Sequence, residues 1–393
     1  MLPHVLFMGC VMNMANERYG MDYFNDMVER CYTFATALTE KQGHLIGTLC
    51  EYTPRELILA AGAWPVCLCG GDEAMIPAAE TILPANICPL IKSTFGYSVN
   101  EANPFLQMAS LTIAETTCDG KKKMYEQLMK RHPMYVLELP QKSNDPDARE
   151  HWYRELLKLR SVLEKHVGTT ITDARLREAI QLMNRERRLR LALADLMQED
   201  RPPLMGRELL NLKSLIAGQS DDLAAYERIL ANLAQRPRAE RSSGNRPRVL
   251  LTGVPCPHCA ERIVDLIERE GGLIVVQENC TGIKPILRQV PEDADDPLRA
   301  LADYYFSIPC SVLTPNTARQ ESIRDLAKRF RADCIVELVW QCCLTYDIES
   351  AQTRATAASL GLPYLKIETG YSPHDDARLA VRIGALFEMC EDD

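Results

Sequence analysis

From residue 248 onward, four short apolar runs alternate with amphipathic segments, and few architectures accommodate that order. Runs at 248–253, 273–278, 334–340 and 364–368 read as strands. Segments at 260–269, 317–331, 348–360 and 375–390 carry apolar residues at helical spacing. Strands that alternate with helices are joined by right-handed crossovers, which makes the sheet parallel. The expected fold is therefore α/β, with its chemistry where strands hand over to helices at the carboxyl edge of the sheet.

The region before it repeats the pattern more weakly. Strands are expected at 64–68, 111–114 and 134–139. Thr53-Pro54-Arg55-Glu56 reads as a helix start, with Thr53 as cap, Pro54 at the first helical position, Glu56 completing a capping box and the helix running to Gly62. The chain thus divides into two related α/β units, 46–140 and 248–393. A cysteine-free insert at 141–235, helical from residue 149, and a linker at 236–247 rich in Arg, Pro, Ser and Gly separate them. Helices are also expected over 1–45, where Cys10 and Cys31 read as small core residues. On one insert helix, Arg185, Arg187, Arg188 and Arg190 form a basic surface that reads as a solvated face.

Composition bounds the function. With 46% hydrophobic and 25% charged residues, the 393-residue chain has the make-up of a soluble globular protein. A net charge of -9 without a long basic tract argues against nucleic acid as a partner. No apolar run reaches the roughly eighteen residues of a membrane span, and Met1 to Cys10 lacks the basic start and long apolar core of a signal peptide. A cytoplasmic location with no membrane partner is expected.

Fifteen cysteines in such a chain point to metal ligands or reactive thiols more than to disulfides. Cys118 lies between the run at 111–114 and an amphipathic segment that begins at Lys121. Its sulfur is expected beside unpaired N–H groups at a helix N-terminus, a position that favours a thiolate and any metal cluster it holds. Lys121, Lys122 and Lys123 in that first turn oppose the helix dipole at about 0.3–1 kcal/mol each unless something negative is near, so they are candidates for electrostatic contact with a cofactor. Cys50 and Cys88 also precede helix starts, marked by Pro54 and Pro89. In the second unit Cys280 follows the strand ending at Glu278, Cys310 follows Pro309 ahead of a helix, and Cys343 follows the strand ending at Trp340. Cys67, inside a strand, reads as core. Zinc usually shows tight CxxC pairs, whereas three scattered thiols per unit suit an iron–sulfur cubane with one iron left over.

Three stretches of the first unit carry a resemblance: Thr117-Cys118-Asp119-Gly120-Lys121-Lys122-Lys123-Met124-Tyr125-Glu126, Asn86-Ile87-Cys88-Pro89-Leu90-Ile91-Lys92-Ser93 and Cys50-Glu51-Tyr52-Thr53-Pro54. Together they closely resemble the 2-hydroxyacyl-CoA dehydratase D-component family. Glu278-Asn279-Cys280-Thr281-Gly282-Ile283-Lys284, Ile308-Pro309-Cys310-Ser311-Val312 and Val339-Trp340-Gln341-Cys342-Cys343-Leu344-Thr345-Tyr346 are similar to its single-chain, double-cubane-cluster branch. The resemblance runs from Leu45 to the end of the chain. It implies two flavodoxin-like or Rossmann-like domains with parallel sheets, three thiolates from each half to one cubane, and a sulfide joining the two cubanes. It also implies a separate ATP-hydrolysing iron–sulfur reductase, with no nucleotide on the present chain, in keeping with the lack of a G-x-x-x-x-G-K-[ST] loop. Such a dimeric reductase suits a homodimeric target.

Two departures stand out. The family usually shows Ala-Cys-His-Thr-Tyr where this chain has Cys342-Cys343-Leu344-Thr345-Tyr346, so Cys343 is the ligand by register. Pro255-Cys256-Pro257-His258-Cys259 adds a CxxC foreign to the family pattern, open to a redox, metal or structural reading, the last being preferred. The expected activity is low-potential reduction of a small molecule at the double cubane. The alternatives are a 2-hydroxyacyl-CoA dehydratase subunit acting by radical dehydration and a non-enzymatic electron-storage protein.

Overall fold

A computed structural model of the chain describes residues 18–235 and 246–391. Cys10, the rest of the first 17 residues and positions 236–245 of the expected linker lie outside the described residues. Two four-stranded sheets are present, and every pairing within them is parallel. The first holds β1 (Leu45–Thr48), β2 (Trp64–Cys67), β3 (Leu111–Glu115) and β4 (Met134–Leu137) in the spatial order β2-β1-β3-β4. The second holds β5 (Arg248–Gly253), β6 (Leu273–Glu278), β7 (Cys334–Trp340) and β8 (Tyr364–Thr369) in the order β6-β5-β7-β8. The two orders are the same when each half is counted from its own first strand. All carboxyl edges consequently fall at matching places, as crossover helices on both faces require.

Burial follows from that layering. β1, β3, β6 and β7 are buried along their whole length, which explains their continuous apolar runs. Gly253 ends β5 at φ 109°, where a side chain would collide with the Leu338 carbonyl of β7.

The insert is built on helices Pro146–Val167, Asp173–Asp195 and Ser220–Ala234. Asp145 and Thr172 cap the first two through their side chains, and Gly168 closes the first at φ 75°. Trp152, Leu156, Leu159 and Leu163 form its buried stripe. Near the start of the described chain, Phe24 stacks on Tyr226 of the insert at 4.9 Å, and helix Met27–Glu40 buries Cys31 as a core residue. Among the described residues no helix is long and apolar enough to cross a membrane.

Three expectations are corrected. No capping box forms at helix Arg55–Ala60, because the Thr53 hydroxyl donates to Glu115 and Glu56 turns into the interior. There Glu56 pairs with Arg187 at 2.6 Å and accepts from the Tyr305 hydroxyl at 2.8 Å. The arginine-rich stretch is a solvated face only in part: Arg185 and Arg188 are exposed and pair with Glu227 and Glu292, Arg190 pairs with Glu186, but Arg187 is 4% exposed. Because the helix that carries Arg187 lies against both halves, one arginine ties a first-half carboxylate to a second-half tyrosine. Cys67 is half-buried and its thiol meets that of Cys69, so it is not a packed core residue.

Candidate functional site

The carboxyl edges of the two sheets carry the thiols. Cys50 sits two residues past β1 and Cys280 two past β6. Cys88, Cys118 and Cys343 are the N-cap residues of helices Pro89–Val99, Asp119–Leu128 and Leu344–Ser359. Cys310 lies in the turn between helices Pro297–Phe306 and Thr317–Arg329. Each strand runs its last residue into a turn, and each helix start leaves backbone N–H groups free to face a sulfur.

The six thiols form one group. Those of Cys88 and Cys343 hydrogen-bond to each other from opposite halves. Cys50 lies within electrostatic reach of Cys310 and Cys280, and Cys118 within reach of Cys343 and Cys310. Every one of them therefore neighbours a thiol of the other half. Among the described residues no three His, Cys, Asp or Glu side chains converge as for a single metal ion. Burial pushes the Cys50 thiol up to about 12 and raises those of Cys118 and Cys280. Cys343 goes the other way, down to about 7, because the Cys88 thiol donates to it and a backbone N–H supports it. Metal binding to such thiols must displace their protons.

The three lysines separate. Lys121 turns inward, and its Nζ donates to the Leu49 carbonyl at 2.7 Å. Burial works against its charge, but Cys50, Tyr125, Cys69 and Glu115 hold it well above the usual lysine range. Lys122 and Lys123 are exposed and pair with Asp119 and Glu126 of their own helix, both at 2.6 Å, which answers the unfavourable dipole locally.

Residues that the sequence reading passed over complete the surroundings. In the second half, the fully buried Arg319 pairs with Glu349 at 2.6 Å, Glu337 at 3.2 Å and Glu278 at 3.3 Å, while Lys284, near Cys280 and Cys310, pairs with Glu278 at 2.9 Å. The Tyr346 hydroxyl has no hydrogen-bond partner and lies near Cys310 and Cys280. In the first half the Tyr125 hydroxyl is equally unpartnered, near Lys121, Glu115, Cys50 and Cys69. Thr117 Oγ1 and Asn279 Nδ2 are further buried donors without partners. Burial pushes Glu115 up to about 7, against the opposing hydrogen bond from Thr53 and the charge of Lys121. Lys284 and Tyr346 stand inside motifs already noted, but Arg319 had no signal, since a buried arginine looks like any other polar helix residue. The chemistry this donor set offers is soft: six sulfurs, with cations and unpartnered hydroxyls around them, can hold an anionic metal cluster that accepts hydrogen bonds.

The CxxC lies apart from this group. Cys256 is fully buried in the core, where burial pushes its thiol up to about 12, and Cys259 adopts φ 73°. Its loop packs on the loop after β2: a side chain at Gly71 would collide with the His258 carbonyl, and the Tyr371 hydroxyl donates to the Gly70 carbonyl at 3.3 Å. Cys342 is exposed at φ 62° beside the buried Cys343 pairing.

A family model described as 2-hydroxyglutaryl-CoA dehydratase, D-component, matches residues 50–390. The chain is 37% identical to "Putative dehydratase subunit YjiM" of Escherichia coli (strain K12), over 94% of its own length and 97% of that protein. It is 24% identical to the (R)-phenyllactyl-CoA dehydratase beta subunit of Clostridium sporogenes, over 94% of this chain and 98% of the other. A benzoyl-CoA reductase subunit of Thauera aromatica shares 23% identity over 64% of this chain and 65% of its own.

Proposed function

The chain belongs to the 2-hydroxyglutaryl-CoA dehydratase D-component family, and from that premise we propose that it is an iron–sulfur reductase of the double-cubane type. The observation that carries the reading is the gathering of six thiols from two halves of one chain, each beside a thiol of the other half. Cys50, Cys88, Cys118, Cys280, Cys310 and Cys343 would hold the group. The unpartnered hydroxyls of Tyr125 and Tyr346 and the amide of Asn279 fit it, because bound sulfides would accept the hydrogen bonds for which these donors find no acceptor in the protein. When bound, two cubanes joined by a sulfide supply electrons at low potential.

The chain's own residues set the conditions for that chemistry. Lys121 near Cys50 and Cys69, and Lys284 near Cys280 and Cys310, place positive charge beside the thiols and favour the reduced, more negative state. Burial of Cys88 and Cys310 keeps bulk water away. A separate ATP-dependent reductase delivers the electrons, this chain binds no nucleotide, and a homodimer presents the site to it twice. Iron and sulfide measured after anaerobic reconstitution test the reading: about eight irons per chain are expected, and about four, or zinc alone, would overturn it. With the reductase, ATP and dithionite added, reduction of a small molecule such as acetylene should require both the partner and ATP.

A second reading is favoured by the names of the relatives, which mark two of them as dehydratase subunits. In it the chain is a 2-hydroxyacyl-CoA dehydratase subunit. Dehydration of a 2-hydroxyacyl-CoA without turnover of acetylene would promote it over the first.

A further inference from the structure

Because the two sheets share one strand order, each position after a strand in one half has a counterpart in the other. Cys118, three residues past β3, answers to Cys343, three past β7. Cys280, two residues past β6, answers to no proposed ligand of the first half. Its counterpart is Cys69, two residues past β2. Cys50, past β1, answers in turn to Cys256, past β5. The first half therefore uses the turn after β1 where the second uses the turn after β6, which leaves Cys69 and Cys256 as the spare counterparts of proposed ligands.

The two spare thiols differ in what they face. Cys256 is locked in the core, its N–H bonded to the Thr281 hydroxyl at 3.0 Å. Cys69 faces the site. Its Sγ donates to the Leu49 carbonyl at 3.4 Å, the same oxygen that receives Lys121 Nζ, and Leu49 immediately precedes Cys50. A second observation marks this corner as incomplete: Tyr125, 1% exposed, holds an unpartnered hydroxyl among Cys50, Cys69, Lys121 and Glu115.

We infer that Cys69 is a seventh thiol of the metal site, placed to take over from Cys50 as a ligand of the first-half iron. The inference rests on the double-cubane reading. The exchange would form one iron–sulfur bond at Cys69 and break the one at Cys50, the proton leaving Cys69 passing to the freed Cys50 thiolate, with no change of oxidation state.

The test is iron and sulfide per chain, with the electron paramagnetic resonance spectrum of the reduced protein, in Cys50→Ala, Cys69→Ala, the double variant and Cys88→Ala. Cys50→Ser and Cys69→Ser are run alongside to keep side-chain volume, and circular dichroism checks the fold of each. Cys88→Ala is expected to lose about half of the iron. Cys50→Ala should keep most of it with an altered spectrum, Cys69→Ala should keep nearly all, and the double variant should fall to the level of Cys88→Ala. A folded Cys50 variant that falls as far as Cys88→Ala, with no further loss in the double variant, would overturn the inference while leaving the double-cubane reading in place. Wild-type chain that takes up no iron would overturn both.

Discussion

The two halves share a strand order but neutralise their buried charge by different means. In the second half, Arg319 lies among Glu278, Glu337 and Glu349 with Lys284 on the outer oxygen of Glu278, so cations and carboxylates all come from residues 278–349 of that unit. In the first half, Glu56 receives its arginine from the insert, and Glu115 has the Thr53 hydroxyl with Lys121 and Arg55 nearby. Its strands are also shorter, four or five residues against six or seven. Topology thus sets where the thiols stand, while each half finds its own way to balance charge. The Arg319 cluster is completed within the second half, whereas Glu56 of the first half is completed from the insert.

The sharpest way to break the comparison is at the paired helix caps. Cys118→Ala and Cys343→Ala should each lose about half of the bound iron, whereas Cys342→Ala should keep it all, as metal analysis of anaerobically reconstituted protein will show. If Cys342→Ala loses half and Cys343→Ala none, the two halves are not matched at this position.

Stability comes next. Arg319→Leu leaves three buried carboxylates short of their cation, and a loss of about 3–5 kcal/mol is expected in denaturant titrations. Arg187→Leu should cost about as much, but pairing it with Glu56→Leu should recover most of the loss, since an apolar pair replaces the buried ions. The same rescue at Arg319 by one carboxylate substitution should fail, because two others remain.

A pH series probes a smaller difference. Burial pushes Glu268 up to about 7, against the backbone N–H groups of Arg207, Gly206 and Ile274 that bond to it. Its folded value lies above its unfolded one, so the folded state holds the extra proton, and the associated stability is full below pH 4.5 and is lost as the pH rises through about 7. Glu268→Gln should flatten that slope, on the order of 2–3 kcal/mol between the two ends, in thermal unfolding at fixed ionic strength. An unchanged slope would place the titration elsewhere. Smallest of all is Lys123→Ala: its partner Glu126 is solvent-exposed, and a change of less than about 0.5 kcal/mol with no loss of iron is expected. A measurable loss of iron there would return Lys123 to the site.

Much of this architecture was legible because it is written in period and punctuation. All four second-half strands lie where apolar runs predict them, β8 extending one residue further, and Cys118 and Cys343 stand at the predicted handover from strand to helix. Two of the misreadings share one physical cause, a partner distant in sequence. Thr53 has the right chemistry to cap a helix, yet its hydroxyl finds Glu115, 62 residues away, because β3 lies beside β1. Arg187 looks solvated within its own helix, but that helix is covered from two sides, and the matching Glu56 is 131 residues distant. Lys121 differs from Lys122 and Lys123 only in the direction its turn faces. Cys69 passed unremarked because its equivalence to Cys280 depends on strand order, which spacing along the chain does not reveal.

The bond from Arg187 to Glu56 and its contact with Tyr305 also order events during synthesis. A ribosome makes residue 56 long before 187, and 187 long before 305, while domains begin to fold as they emerge. Helix Arg55–Ala60 therefore appears with a carboxylate that has no cation to accept it, and the first unit cannot seal around it until more than a hundred further residues have been added. Cys50, five residues before that helix, belongs to the same corner. If its thiol comes to hold a metal group, Arg187 is the residue whose arrival lets the first unit close around it.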